Sequence, residues 1–203
     1  MKGEKTDLWE IQREYARRGI KVIAGVDEAG RGPLAGPVCA AAVILPFELE
    51  IPGLDDSKKL TEKKREELFE VITDKALSYG IAFADQREID DINILNATFL
   101  AMNRALEKLD IPFQLALVDG NNVRGLNYNS ESIVKGDTRC AAVAAASVLA
   151  KVTRDRYMLQ MAEKYPQYAF EKHKGYPTKL HYERLREFGP SEIHRLTFLK
   201  KMH

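Results

Sequence analysis

The stretch IKVIAGVDEAGRGPLAGPVCAAAVILP, residues 20–46, carries most of the information about the fold of this chain. Its first part, residues 20–26, is apolar and β-branched, which is typical of a buried strand. Residues 27–37 then hold three glycines and two prolines in eleven positions, which predicts a tight connection. Residues 38–46 have the pattern of a second buried strand. We therefore expect two neighbouring antiparallel strands joined by a glycine-rich loop.

Strand and helix patterns alternate through the rest of the chain. This order predicts an α/β fold, in which a mixed sheet is flanked by helices and followed by a small C-terminal helical lobe. We expect residues 1–160 to form the main domain and residues 161–203 to form a lobe packed on it. Thr61 is the expected N-cap of the first long helix. The other predicted elements are helices at 7–18, 60–77, 92–109, 140–165 and 179–188 and strands at 78–86, 113–121 and 130–136.

The composition is that of an ordinary globular protein. The chain has 203 residues, of which 45% are hydrophobic and 30% charged, so collagen-like and intrinsically disordered classes are excluded. No run of apolar residues is long enough to span a bilayer, and the charged N-terminal segment does not resemble a signal peptide. Cys39 and Cys140 lie in Ala- and Val-rich runs, which favours buried thiols over a disulfide. We expect a cytoplasmic protein with no membrane segment.

The charge is distributed unevenly although the net charge is only +1. Residues 151–203 carry 12 Lys and Arg against 6 Asp and Glu, whereas residues 1–150 carry 19 against 24. All four histidines also lie in the basic end. A basic end on an acidic body favours a polyanionic partner, although an ordinary solvated helical surface would have the same composition.

Carboxylates directly follow two of the predicted strands. Asp27 and Glu28 come after the apolar run 20–26, and Asp119 comes after a second such run. Because strand ends bind ligands in α/β sheets and adjacent buried carboxylates repel each other, these residues predict a cation site. Asp137, which precedes the alanine-rich helix, is the fourth candidate. Oxygen ligands of this kind suit a hard divalent ion, Mg²⁺ or Mn²⁺.

Ordinary structural roles remain open for some of these acids. Asp137 could be the N-cap of the helix that follows it, and Asp119 could be a turn residue in the sequence D-G-N. The pair at residues 27–28 is harder to explain in this way, because a turn needs only one of the two. Two other acidic pairs are interpreted as solvated loop residues, namely Asp55–Asp56 and Asp90–Asp91.

Glycines next to an arginine follow the first carboxylate pair. Gly30 and Gly32 would let the main chain approach a ligand closely, and Arg31 between them could reach a phosphate. The spacing fits neither a P-loop nor a dinucleotide-binding loop, and no zinc or nucleophile-elbow pattern occurs. The residues taken alone therefore predict a carboxylate metal site that acts on a phosphate ester, and nucleic acid is the favoured source of that ester.

Two further groups could contact nucleic acid. Ser147, Lys151 and Arg154 form a polar stripe on an otherwise apolar helix, which could line a phosphate track or simply face solvent. Tyr176 follows the basic residues 172–174, so it could stack on a sugar or a base, or it could be a structural loop tyrosine.

Taken together, the motifs resemble those of the bacterial ribonuclease HII family. The resemblance runs from Ile23 to Phe198, and the motifs stand in the order of the family. DEAGRGP is the most specific of them. The motifs are VDEAGRGPLAGPV, DDSKKLTEKKRE, NILNATFLAM, LVDGN, KGD, AAASVLAKVTRDRYM, KHKGYPTKLH and GPSEIHRLTFL.

This resemblance implies a ribonuclease H-like fold and an endonuclease that cuts the RNA strand of RNA–DNA hybrids. It also implies cleavage on the 5′ side of ribonucleotides at RNA–DNA junctions in duplex DNA, with two metal ions and with 3′-hydroxyl and 5′-phosphate products. The alternatives are another metal-dependent nuclease or phosphatase, a non-catalytic hybrid-binding protein, and a purely structural or interaction protein, which fits poorly with paired carboxylates on a buried strand. A monomer is expected. The metal-binding catalytic residues would be Asp27, Glu28, Asp119 and Asp137.

The resemblance also assigns the residues expected to bind substrate. Gly30, Arg31 and Gly32 would recognise the ribose 2′-hydroxyl, largely through main-chain atoms. Tyr176 would stack on the sugar of the following deoxynucleotide. The residues expected to contact phosphates are Lys58, Ser147 and Lys151.

Overall fold

A computed structural model describes residues 7–54, 57 and 60–200, and a five-stranded sheet lies at its centre. Short 3-10 helices at Gly136–Thr138 and Pro166–Tyr168 flank the longest helix, which spans Ala141–Lys164. The strands are β1 (Ile23–Ala29), β2 (Val38–Ile44), β3 (Ser78–Ala84), β4 (Leu115–Asp119) and β5 (Ser130–Ile133). The helices are α1 (Glu10–Arg17), α2 (Glu62–Lys75), α3 (Gln86–Glu107), α4 (Ala141–Lys164), α5 (Phe170–His173), α6 (Lys179–Phe188) and α7 (Leu196–Leu199).

The sheet is mixed, with the strand order β3-β2-β1-β4-β5. β1 pairs antiparallel with β2, and β2 pairs antiparallel with β3. β1 and β4 pair in parallel, as do β4 and β5. The predicted α/β class and the antiparallel pair around the glycine-rich loop are thus confirmed. Because β1, β3 and β4 run in the same direction, their carboxyl ends share one edge of the sheet.

Helices cover both faces of the sheet, and α4 packs unusually close to it. The alanine-rich first half of α4, residues 141–150, is buried throughout. Opposite it, a Cβ atom added to Gly25 of β1 would lie 2.1 Å from the main-chain carbon of Ala142. Small side chains on both elements therefore allow near backbone-to-backbone contact, which sets the distance between α4 and the end of β1.

The helix starts show where local capping overrides apolar periodicity. Thr61 accepts a hydrogen bond from the Lys64 N–H, as its predicted N-cap role requires. The start of α3, by contrast, lies six residues before the predicted one, because Asp85 and Glu88 form a capping box. Asn93 then interrupts the helix with a φ of 68°, and its side chain caps the second half. The apolar pattern in the sequence predicted only the second half of α3.

The prediction of a solvated acidic pair at Asp90–Asp91 is wrong for Asp90. Its carboxylate accepts hydrogen bonds from the main-chain N–H groups of Leu196 and Thr197, at 2.8 and 2.9 Å. Asp90 therefore caps the start of α7 from 106 residues away. Asp91 is exposed, and Asp55–Asp56 lie outside the described residues.

The C-terminal elements pack on the loop between β1 and β2. Leu34 from this loop shares an apolar cluster with Met158, Phe170 and Leu185. Helix α4 passes through the expected boundary at 160/161 without interruption. Both cysteines are buried and free, as predicted. No helix in the described part of the chain is long and apolar enough to cross a membrane.

Candidate metal centre and substrate cleft

Asp27 and Asp119 lie side by side at the carboxyl edge of the sheet. The parallel register pairs Val26 of β1 with Val118 of β4, so the next residue on each strand is an aspartate. Asp137 reaches the same place from the 3-10 helix in front of α4. Carboxylate oxygens of these three residues lie within 4.8 Å of one another. The structure thus brings together three of the four predicted metal ligands.

The structure does not support the N-cap role considered for Asp137 or the local turn role considered for Asp119. Cys140, and not Asp137, is the N-cap of α4, and the Ala142 N–H in its first turn donates to Gln12 Oε1 at 3.4 Å. Asp119 accepts a hydrogen bond from the Gly136 N–H at 2.7 Å, a contact across 17 residues and therefore not one within a local turn. This bond ties the end of β4 to the segment that carries Asp137, so it holds the two carboxylates in place.

The electrostatics of the site favour a bound cation. Asp27 is 3% exposed, and burial raises the pKa of its carboxyl well above the ordinary value. The neighbouring charges of Glu28 and Asp119 raise the pKa further. A divalent cation offsets both the lost hydration and the mutual repulsion. The donor set consists of carboxylate oxygens, so the residues present fit Mg²⁺ or Mn²⁺.

Glu28 is not one of the three carboxylates whose oxygens meet within 4.8 Å. Its Oε1 lies 3.4 Å from a guanidinium nitrogen of Arg31. Its charge is nevertheless close enough to raise the pKa of Asp27. The Glu28 carboxylate therefore interacts both with Asp27 and with the glycine-rich loop.

The exposed part of the glycine-rich loop lies next to Tyr176, and we call the surface that they form the cleft. Arg31 and Gly32 are exposed, and a Cβ atom added to Gly32 would lie 4.0 Å from Cε1 of Tyr176. The Tyr176 ring is 38% exposed, and the Lys151 ammonium lies 5.8 Å from its centre. Residues predicted from separate motifs thus lie together at this surface, and Glu28 contacts the same loop through Arg31. Gly30 has a φ of 99° and is buried.

The polar stripe on α4 is neither a simple solvated face nor a simple phosphate track. Ser147 is buried, its Oγ lies 2.7 Å from Oγ of Ser57, and its hydroxyl also hydrogen-bonds Asp27. Lys151 is partly exposed and pairs with Asp155 at 2.7 Å. Arg154 is fully buried and donates to main-chain carbonyls, so the solvated interpretation was wrong for Ser147 and Arg154.

Lys58 lies outside the described residues. The chain on both sides of it is held by Arg65, whose guanidinium donates to the carbonyls of Ser57 and Leu60 at 3.0 and 2.6 Å. Because Ser57 in turn contacts Ser147, this segment is tied to α4 next to Asp27.

Sequence reasoning missed two sets of buried polar residues behind the cleft. Arg195 is fully buried and donates to the carbonyls of Gly30, Arg31 and Gly36. Three of the four histidines are also buried, and His203 is outside the described residues. The only sequence signal was their position in the last two motifs, KHKGYPTKLH and GPSEIHRLTFL. The buried histidines are His173, His181 and His194.

Comparison with known proteins confirms the resemblance seen in the motifs. The family model described as Ribonuclease HII matches residues 24–202. Ribonuclease HII of Caldicellulosiruptor bescii is 52% identical over 199 residues, covering 98% of this chain and 97% of that protein. Ribonuclease HII of Endomicrobium trichonymphae is 55% identical over 194 residues, covering 95% and 92%.

A solved structure agrees with the fold. The crystal structure of ribonuclease H2 from Pyrococcus horikoshii OT3 superimposes with a TM-score of 0.72 at 32% identity, covering 87% of this chain and 93% of that one. The mixed sheet with flanking helices is therefore the ribonuclease H type of fold. This chain belongs to the ribonuclease HII family and is a metal-dependent ribonuclease H that acts on the RNA strand of RNA–DNA hybrids.

Proposed function

We propose that this enzyme cuts on the 5′ side of a ribonucleotide at an RNA–DNA junction, including a single ribonucleotide embedded in duplex DNA. The observation that carries the proposal is the cleft in which exposed Gly32 faces the exposed ring of Tyr176. The loop side offers main-chain groups that can bind a 2′-hydroxyl. The ring side offers an aromatic surface that can stack on the next sugar.

The carboxylates Asp27, Glu28, Asp119 and Asp137 would hold the metal. Two bound Mg²⁺ or Mn²⁺ ions would supply an activated water and stabilise the leaving 3′-oxygen. The protein keeps the ligands in position: the Glu28 N–H donates to Asp27 Oδ1 at 2.7 Å, and the Gly136 N–H donates to Asp119 Oδ1 at 2.7 Å. Hydrolysis of this kind leaves a 3′-hydroxyl and a 5′-phosphate, with the phosphate on the ribonucleotide.

Specificity for the junction would come from the two walls of the cleft. Gly30, Arg31 and Gly32 would recognise the 2′-hydroxyl of the ribonucleotide, mainly through main-chain atoms. Tyr176 would stack on the deoxyribose that follows it. Since Asp27 and Glu28 lie directly before this loop in β1, the recognised nucleotide would be close to the scissile phosphate.

Contacts with phosphates would hold the duplex around the cleft. Lys151 is partly exposed beside the Tyr176 ring, and we assign it and Lys58 to the phosphate backbone. Ser147 is buried against Asp27, so its hydroxyl would act at the scissile phosphate or on the ligand carboxylate. The basic residues of 151–203 would add a general attraction for RNA–DNA hybrids and for ribonucleotide-containing DNA. We infer a monomer that works in the cytoplasm.

The decisive experiment uses a labelled DNA duplex with one embedded ribonucleotide. The expected result is a single cut on its 5′ side with Mg²⁺ or Mn²⁺ and no cut with EDTA. An all-DNA duplex of the same sequence and the D119N variant should both remain uncut. End-group analysis should find a 3′-hydroxyl, whereas a 2′,3′-cyclic phosphate would mean attack by the 2′-hydroxyl and would overturn the proposed chemistry. Cleavage of long hybrids alone, with the single-ribonucleotide duplex intact, would overturn the junction specificity.

A further inference from the structure

The loop that would recognise the 2′-hydroxyl rests on a buried guanidinium. Arg195 lies 164 and 165 residues away from Arg31 and Gly30 in sequence, yet it donates to the carbonyl of Gly30 at 2.6 Å and to that of Arg31 at 3.0 Å. Its Nε also donates to the carbonyl of Gly36 at 2.8 Å. The residue is fully buried. A single side chain therefore binds both ends of the loop from beneath.

A second buried guanidinium lies beside the first. Arg154 donates to the carbonyls of Ala35 and Pro37, at 3.1 and 3.0 Å, and is also fully buried. Within the described residues, no carboxylate lies within ion-pairing distance of either guanidinium. Burial lowers the pKa of both, and the charge of Arg154 helps to lower the pKa of Arg195 to about 9. Burying these charges costs free energy, which the hydrogen bonds to the loop carbonyls offset.

The geometry of the peptide bond shows what the Arg195 contacts accomplish. In a planar trans peptide, the C=O of one residue and the N–H of the next point in opposite directions. With the carbonyls of Gly30 and Arg31 held toward Arg195, the N–H groups of Arg31 and Gly32 must point away from the interior. Both residues are exposed, and no described residue accepts a hydrogen bond from either N–H. Two oriented donors thus face the cleft.

We propose that Arg195 is a positioning residue that orients the N–H groups of Arg31 and Gly32 for recognition of the ribose 2′-hydroxyl. This inference rests on the proposed function, because it concerns the same cleft. Arg195 touches no substrate in this arrangement and acts through the loop. A lysine at this position keeps the charge, but its single ammonium cannot reproduce a planar fork that binds three carbonyls.

The test measures discrimination between substrates and not activity alone. Binding of a single-ribonucleotide duplex and of the matching all-DNA duplex is compared in a D119N background, in which the strand is not cut. The ratio of the two affinities should fall about three- to tenfold in R195K, because misaligned N–H groups lose their neutral hydrogen bonds to the 2′-hydroxyl. Binding of the all-DNA duplex should change little. L185A, which leaves a cavity in the apolar cluster of Leu34, Met158 and Phe170, is the control for general destabilisation and should keep the ratio.

The outcomes separate this inference from the proposed function. A parent protein that binds both duplexes equally would overturn recognition of the 2′-hydroxyl, and this inference with it. A parent preference that persists in R195K would overturn the role of Arg195 alone. An equal loss of preference in L185A and R195K would also overturn it, because the effect would then be one of general stability.

If R195K does not fold, a measurement on the unmodified protein still tests the role of Arg195. In NMR spectra, the Arg195 Nε–H should exchange slowly with solvent, both without duplex and with the single-ribonucleotide duplex bound. The amide signals of Arg31 and Gly32 should shift more with that duplex than with the all-DNA duplex. Rapid exchange of the Arg195 Nε–H, or equal amide shifts with both duplexes, would overturn the inference.

Discussion

Nε2 of His181 lies 3.0 Å from Nε2 of His194 in the buried interior behind the cleft. The Ser191 N–H donates to Nδ1 of His194, so the proton of neutral His194 is on Nε2 and is donated to His181. Neutral His181 then carries its proton on Nδ1 and donates it to the Tyr176 carbonyl at 3.0 Å. The pair therefore fits one arrangement of protons, in which both rings are neutral.

This pair predicts that the protein loses stability in mild acid. Burial lowers the pKa of both imidazoles to about 4, below the ordinary value of 6.5. The histidines of the unfolded chain keep the ordinary pKa, so they bind protons at a higher pH than the buried histidines of the folded protein do. The free energy of unfolding therefore keeps its full value above about pH 6.5 and falls as the pH decreases toward 4. Between about pH 7.5 and about pH 5 the loss should be about 2 kcal/mol per imidazole, measured by urea unfolding. H194Q should show a smaller loss over this interval, and a loss equal to that of the parent would contradict the assignment.

Removing a charge from the metal centre should abolish cleavage without unfolding the protein. D27N and D119N are each expected to reduce the cleavage rate by orders of magnitude at saturating Mg²⁺, because each loses an anionic ligand. Circular dichroism should show a native fold in both. D91N changes an exposed carboxylate elsewhere and serves as the matched control. Activity of the parent level in D27N or D119N would remove that residue from the metal site.

The same charge removal should stabilise the metal-free protein. In the folded state the pKa of Asp27 is raised by burial and by the charges of Glu28 and Asp119, so its ionised form opposes folding above the ordinary pKa. D27N should therefore melt at a higher temperature than the parent in EDTA at neutral pH. Added Mg²⁺ should raise the melting temperature of the parent and have less effect on D27N. An unchanged or lower melting temperature of D27N in EDTA would show that the site is not under electrostatic strain.

The Tyr176 ring should contribute more to cleavage at an RNA–DNA junction than to binding of hybrid duplexes in general. Y176A is expected to lose about 1–3 kcal/mol of stacking on one sugar, which corresponds to roughly a 5- to 150-fold loss in junction cleavage. Binding of a uniform hybrid should change much less. Y176F keeps the ring and should cut nearly as well as the parent. If Y176A lost activity equally on every substrate, a structural role of the ring would explain the result better.

The affinity for duplex should depend strongly on salt, with Lys151 contributing to the slope. Between about 50 and about 200 mM salt we expect a steep linear fall of log affinity with log salt concentration. K151Q should reduce the slope by at most about one unit, since Lys151 already pairs with Asp155 at 2.7 Å. K75Q, at the exposed end of α2 near the opposite edge of the sheet, is the matched control. A slope unchanged in K151Q would exclude this phosphate contact.

Much of the fold and the carboxylates of the candidate metal centre could be predicted because they depend on short-range patterns. Apolar runs and their turn residues located the strands, and the aspartates in the last residues of β1 and β4 meet because parallel strands end at the same edge. The start of α3 was misplaced because a capping box, and not apolar periodicity, begins that helix.

The sequence by itself determined the class of fold, the family motifs and the acids at the strand ends, since each depends on a pattern of residues that are close together in the chain. Only the tertiary structure decided which polar residues are buried and what they hold. Asp90 and Arg154 have the local sequence of solvated residues, yet one caps α7 and the other lies beneath the glycine-rich loop. Arg195 binds carbonyls about 160 residues away. Burial is a property of the packed chain, and no local pattern encodes a contact between segments that meet only after folding.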